Sequence, residues 1–116
     1  MAFTEDLQAQ VLRLQINLYA CRARLAAATD GEALHDVRIV LRKLRSLLRP
    51  LRDVPACDAL QQRAAELGRL SGPLRDLEVL LAHLQTLGLR DALKRRQPRL
   101  DEGYAALLAE IGRAHV

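Results

Sequence analysis

Apolar residues recur every three or four positions along most of the chain, which is the spacing of amphipathic α-helices. This spacing predicts four helices, at residues 4–28, from about 30 to 49, 56–87 and 89–112. No segment shows the alternation of apolar and polar residues that is typical of a strand. We therefore predict an all-α fold, an antiparallel bundle of about four long helices, with residues 1–116 forming a single helical domain.

Caps and prolines set the expected boundaries in the first half. Thr29 and Glu32 have the spacing of a capping box, so the second helix should start near Asp30. Pro50 should end or bend that helix, because proline has no backbone N–H and disfavours helix at the residue before it. Pro55 suits the first turn of the third helix.

Three further sequence signals predict helix ends or bends in the second half of the chain. The run Ser71-Gly72-Pro73 predicts a kink or a short break in the third helix. Gly88 is expected to form its C-cap. Pro98 should bend or split the last helix.

The first helix has two apolar faces. One is a narrow arc of Leu7, Val11, Leu14, Leu18, Cys21 and Leu25. The other, on roughly the opposite side, consists of Leu12, Ile16 and Tyr19. A helix with two apolar faces usually packs against two things, so we expect the second face to contact a partner subunit or a missing part of the protein.

The composition indicates which residues form the core and what charge a ligand should carry. Half of the residues are apolar but only 3% are aromatic, so the core must be built from Leu, Ala, Val and Ile. The net charge of +4 and the pI of about 9.7 favour an anionic partner. The cations are 16 Arg and 2 Lys, and Arg can donate two parallel hydrogen bonds to a phosphate.

The positive charge is concentrated on the second helix. Residues 36–52 carry six basic and one acidic side chain, a net charge of +5, whereas the rest of the chain sums to −1. On a helical wheel, one arc of about 80° holds His35, Arg38, Arg42, Arg45 and Arg49. This arc, which we call the basic stripe, runs beside the apolar face and not opposite it. The charges are therefore expected to line a groove between helices and to bind a polyanion.

Other interpretations of the basic stripe stay open on charge alone. It could be a solvated face whose arginines form interhelical salt bridges with Glu66, Asp76 or Glu78. It could also bind duplex nucleic acid, an acidic membrane surface or an acidic protein. Single-stranded nucleic acid is disfavoured, because no aromatic side chains lie near the stripe for bases to stack on.

Two segments resemble the CHAD domain, the "conserved histidine α-helical domain". They are HDVRIVLRKLRSLLRPLR, which begins at His35, and ELGRLSGPLRDLEVLLAHL, which begins at Glu66. The resemblance covers residues 7–87 and implies an α-helical domain that binds inorganic polyphosphate in a basic groove or pore. By motif match it implies a site made of His35, Arg38, Arg42, Arg45 and Arg75. We add Arg49, which extends the basic stripe, and Arg22, which borders the apolar face of the first helix.

The resemblance also bears on assembly and location. CHAD domains are usually about twice this length, with two similar halves around the groove, so the chain resembles the N-terminal half. It is either a piece of a longer protein or pairs with a second copy, and we expect a homodimer that completes the two-halved domain. Family members are linked to polyphosphate granules, and the absence of a signal or a membrane-spanning run favours the cytoplasm.

An enzyme is not expected. His35, His83 and His115 are scattered without metal-ligand spacing, and no Gly-rich phosphate loop occurs. We therefore predict no catalytic residues, no metal and no cofactor. Cys21 and Cys57 are expected to be buried free thiols. A second basic cluster, Lys94, Arg95, Arg96 and Arg99, is interpreted as solvated surface.

Overall fold

Four α-helices follow one another in the computed structural model, which describes residues 2–28 and 30–113. They are α1 (Ala2–Ala27), α2 (Ala33–Leu48), α3 (Pro55–Thr86) and α4 (Arg90–Arg113), and a short 3-10 turn, Arg49–Leu51, follows α2. The described residues contain no strand. The predicted all-α fold of four antiparallel helices is confirmed.

The helices form a ring in which α1 and α3 each contact both α2 and α4. The molecule is elongated, 58 × 22 × 22 Å, because α3 is twice as long as α2. The connection between α1 and α2 reaches α3 beside Arg75 and Val79. Most residues in the last turns of α3 and the first turns of α4 are exposed.

Aliphatic side chains fill the interior, as the composition predicts. The large fully buried apolar residues come from all four helices: Leu18, Leu34, Val37, Leu41, Leu44, Leu48, Leu67, Leu107 and Ile111. On α2 the apolar arc predicted beside the basic stripe is buried except for Leu47, which is half-buried; the arc consists of Val37, Val40, Leu41, Leu44, Leu47 and Leu48. The basic stripe therefore has the phase expected beside a buried face.

The start of α2 differs from the prediction. The helix begins at Ala33, Glu32 forms no side-chain cap, and Thr29 lies outside the described residues. Asp30 instead closes the preceding turn, since its carboxylate accepts a hydrogen bond from the Glu32 backbone N–H at 2.9 Å. This bond, with a second one from Arg24, lowers the pKa of the Asp30 carboxyl. A short Asx turn thus precedes the helix at the position where its first turn was expected.

The four prolines differ in whether they lie at a helix end or within a helix. Pro50 lies in the 3-10 turn that ends α2, and Pro55 is the first residue of α3, as predicted. The breaks considered at Pro73 and Pro98 do not occur, since α3 and α4 are continuous through both positions. Both proline rings are exposed, while buried neighbours such as Ser71 and Leu74 hold α3 against the bundle.

The exposed face of α1 is longer than the three residues that the sequence indicated. Leu12, Ile16 and Tyr19 are 58%, 60% and 40% exposed. Ala9, Ala23 and Ala26 are exposed as well. These six residues occupy successive a and d positions of a heptad repeat, and we call them the α1 seam.

The two cysteines are both free, but only Cys21 is buried. Burial raises the pKa of the Cys21 thiol, as expected for an unreactive core cysteine. Cys57 is half-buried, so the prediction of two buried thiols is wrong for this residue.

Candidate functional site

A cleft of about 200 Å³ lies between α2 and α3. Four of its six lining residues are arginines, and none is acidic. From α2 come Arg38, Leu41, Arg42 and Arg45, and from α3 come Gly68 and Arg69. We call it the arginine cleft. Its second wall belongs to the same chain, so the cleft does not require a second copy to close it.

Arg38 is fixed against α3. Its Nη1 donates to the Gly68 carbonyl oxygen at 3.1 Å and to the Ser71 hydroxyl oxygen at 2.9 Å. Ser71 is fully buried and donates in turn to the same carbonyl at 3.0 Å. A Cβ on Gly72 would lie only 3.3 Å from Arg38 Nη1. The small residues at 71 and 72 therefore let the guanidinium approach the α3 backbone.

The other arginines of the cleft lack such partners. The buried Nε of Arg45 has no hydrogen-bond partner among the described residues. Arg42 and Arg69 are exposed. Within the described part of the chain, no carboxylate forms an ion pair with an arginine of the cleft. The cleft thus holds several cationic donors that are free to bind an anion.

The salt bridges considered as an alternative for the basic stripe do not form. Glu66 pairs with Arg63 at 2.8 Å, and Glu78 pairs with Arg75 at 3.1 Å. Asp76 is exposed and has no ion pair with a described residue. The nearby carboxylates therefore leave the positive charge of the cleft uncompensated.

Four of the predicted site residues lie outside the lining of the cleft. His35 and Arg49 are exposed at the two ends of the basic stripe. Arg22 faces α4, where its Nε donates to the Leu108 carbonyl at 3.0 Å. Arg75 lines a different cavity, of about 670 Å³, beside the α1–α2 connection. Their spacing in the sequence did not reveal which neighbouring helix each one faces.

Arg75 belongs to a polar network that joins α3 to α4. Its partner Glu78 also accepts a hydrogen bond from the Tyr104 hydroxyl. Burial raises the pKa of Tyr104, and the carboxylate of Glu78 raises it further. The hydroxyl therefore stays protonated as a donor, and the network engages Arg75 at a cavity other than the arginine cleft.

Arg69 is the cleft residue that the sequence prediction missed. It follows Gly68 directly in the second CHAD-like segment. A lone arginine on a helix has no sequence signal of its own, and only the packing of α3 against α2 brings it to Arg42. The cleft has room for a side chain at position 68, because a Cβ there would meet no atom within 4 Å.

Other kinds of site find no support in the described segments. They contain no cluster of three His, Cys, Asp or Glu side chains that could hold a metal ion. None of the helices described combines the length and the apolar character needed to cross a membrane.

Comparison with known proteins agrees with this geometry. The model of the CHAD domain family matches residues 9–116, which include most of α1 and all of α2, α3 and α4. Comparison with curated proteins and with solved structures gave no significant match. Because the match spans nearly the whole chain, the protein belongs to the CHAD domain family.

Proposed function

We propose that the protein binds inorganic polyphosphate in the arginine cleft between α2 and α3. The observation that carries the proposal is the lining, with four arginines and no acidic side chain. CHAD domains are associated with polyphosphate binding, which identifies phosphate as the anion to test first.

The chemistry of the cleft suits a chain of phosphates. Successive arginines of the basic stripe are three or four residues apart, a rise of roughly 4.5–6 Å along the helix. Like charges at this spacing repel one another by a few tenths of a kcal/mol per pair. A polyanion removes this repulsion and accepts bidentate hydrogen bonds from several guanidinium groups at once.

We propose a binding module and not an enzyme. The cleft is lined by arginine, Leu41 and Gly68. Arginine stays protonated in proteins and cannot act as a general base. The nearby Ser71 hydroxyl is already engaged with Arg38 and Gly68. These groups hold a phosphate chain but offer no nucleophile or base to cleave it.

A pair of double variants tests the site. Arg42→Ala with Arg69→Ala removes two exposed arginines of the cleft and leaves the Arg38 contacts intact. Arg95→Ala with Arg96→Ala removes the same charge from an exposed part of α4. The cleft variant should bind long-chain polyphosphate at least about tenfold more weakly, a loss of about 1.4 kcal/mol, whereas the α4 variant should bind like the wild type. Equal losses would contradict a specific site.

Competition at physiological salt separates polyphosphate from nucleic acid. Duplex DNA also binds cationic surfaces, with an affinity that falls steeply as salt rises. We expect polyphosphate to displace duplex DNA, because a flexible phosphate chain can enter a cleft of about 200 Å³, whereas a rigid duplex can contact only its rim. Equal competition by DNA would instead support a general polyanion-binding or nucleic-acid-binding protein.

With polyphosphate as the ligand, we expect the chain in the cytoplasm, at polyphosphate granules.

We further propose a second copy of the chain as a partner, through the α1 seam. The seam carries apolar residues at six successive a and d positions, all exposed. The flanking e and g positions are Gln8, Arg13, Gln15, Ala20, Arg22 and Ala27. They include no acidic residue and only two cations, and in a parallel pair each cation would face Gln or Ala. Two copies of α1 can therefore pair without like charges opposing each other.

A further inference from the structure

A second groove, of about 640 Å³, lies on the other side of α2, where α2 packs against α1. It is lined by Gln10, Arg13, Leu14 and Asn17 from α1 and by Arg42, Lys43, Ser46 and Leu47 from α2. This groove is about three times as large as the arginine cleft.

The groove is cationic, with neutral donors between the charges. Arg13 projects from α1 and Lys43 from α2, and both are exposed. No acidic side chain lines the groove, and neither cation forms an ion pair with any residue described. Asn17 and Ser46 add hydrogen-bond donors. These groups can bind phosphate oxygens along a groove whose floor is apolar.

Arg42 joins the two sites. Its side chain lines both the arginine cleft and the α1–α2 groove. It is exposed and has no ion pair with the described residues, so it stands on the ridge of α2 between them. An anion bound in the small cleft can therefore continue across Arg42 into the larger groove without leaving cationic surface.

We propose that a linear polyphosphate longer than the arginine cleft crosses Arg42 and binds Arg13 and Lys43 in the α1–α2 groove. This inference rests on the proposed function and adds a second binding segment to it. The groove makes affinity depend on chain length, since short phosphates fill the cleft alone and long ones reach both sites. Lys43 contributes as a point charge, whereas Arg13 can bind two oxygens of one phosphate.

Two ligand lengths and one double variant test this inference. Arg13→Ala with Lys43→Ala should leave the Kd for tripolyphosphate within about twofold of the wild-type value, because the cleft is intact. The Kd for long-chain polyphosphate should rise at least about tenfold. The slope of log K against log salt should become shallower by about 1.4, since each lost contact with a single-stranded polyanion accounts for about 0.7.

The Arg95→Ala with Arg96→Ala variant is the matched control for charge, and helix content by circular dichroism checks that each variant folds. If the Arg13 and Lys43 variant binds long chains as well as this control does, the α1–α2 groove is not part of the site. Equal losses for both ligand lengths also overturn the inference, because a second segment would not affect the short ligand. Failure of the proposed function is a different result, in which loss of Arg42 and Arg69 weakens neither ligand.

Discussion

Two arginines of the basic stripe, one turn apart, have different roles. Arg38 donates to Gly68 and Ser71 and holds α2 against α3. Arg42 is exposed between two cationic grooves. Replacing Arg38 would remove a charged hydrogen bond across the helices, which typically contributes about 1.5–3 kcal/mol. Arg42 is therefore the better probe of binding, since Arg38 affects stability and ligand together.

Ala28 has an unfavourable backbone conformation. It follows α1 with a φ of +56°, a region that costs a residue with a Cβ about 1–2 kcal/mol. We expect Ala28→Gly to raise the free energy of unfolding by up to about 1 kcal/mol, because glycine is favoured at this C-terminal position.

Chemical denaturation checks the effect of Ala28→Gly. Ala20→Gly, in the exposed middle of α1, is the matched control and should lower stability by about 1 kcal/mol. A loss of stability in both variants would show that residue 28 does not adopt the left-handed conformation in solution.

Asp30 makes stability depend on pH. Hydrogen bonds from the Glu32 backbone and from Arg24 lower its pKa below the ordinary 3.8. The stabilisation is therefore fully present above about pH 3.8 and is lost as the pH falls through the depressed pKa. Asp30→Asn keeps an acceptor for the Glu32 N–H but removes the charge that pairs with Arg24.

Urea unfolding at a series of pH values measures this dependence. Wild type should be more stable than Asp30→Asn at pH 7 and pH 5, and the difference should shrink below about pH 3.8. A difference that stays constant down to pH 2 would contradict the ion pair.

At the scale of elements, the phase of α2 was the most informative sequence feature. On the helical wheel of α2, Leu41 and Leu44 lie apart from the basic stripe. In the structure both leucines are buried, and the cations form a row beside them. The four helices were likewise predictable from apolar spacing. The partners of individual arginines were not, because Arg69 and Arg22 reach their positions through contacts far apart in sequence. At Pro73 the sequence left a kink and a break open, and α3 continues without a break because tertiary packing outweighs the missing backbone bond.

A glycine sets the closeness of α3 and α4. A Cβ on Gly103 would lie 1.9 Å from Leu74 Cδ2, so Gly103→Ala should lower the free energy of unfolding by about 1–3 kcal/mol through overpacking. Gly68→Ala is the matched control, since a Cβ there meets nothing within 4 Å. It should stabilise α3 by up to about 1 kcal/mol through helix propensity.

A double-mutant cycle identifies the cause of the Gly103→Ala effect. In a Leu74→Ala background the same change should no longer lower stability, because the clashing methyl group is gone. An unchanged penalty in that background would show that the two side chains do not meet.

At the scale of the whole molecule, three surfaces lie around one elongated bundle. The arginine cleft and the α1–α2 groove lie on either side of α2, and the α1 seam runs along the exposed face of α1. Because α3 of the same chain supplies the second wall of the cleft, the proposed pairing of two copies and the proposed binding in the cleft can be tested independently. Arg13 borders the seam and also lines the α1–α2 groove.

The mass in solution tests the seam. Light scattering of the wild type should show a species of twice the 13.0 kDa mass of the chain. The fraction of this dimer should grow with protein concentration. Ile16→Glu places a charge in the middle of the seam and should give a monomer with unchanged helix content. A wild type that remains monomeric across the concentration series would contradict the pairing.

The central claim is that the phosphate chain lies in the arginine cleft, and filling the cleft without changing its charge tests this most directly. Gly68→Leu adds a side chain to the open wall of the cleft, where a Cβ meets no atom within 4 Å, and leucine is a better helix former than glycine. Calorimetric titration with tripolyphosphate should give an affinity at least about tenfold lower than that of wild type, with equal or higher thermal stability. An unchanged affinity in this folded variant would show that the anion binds elsewhere.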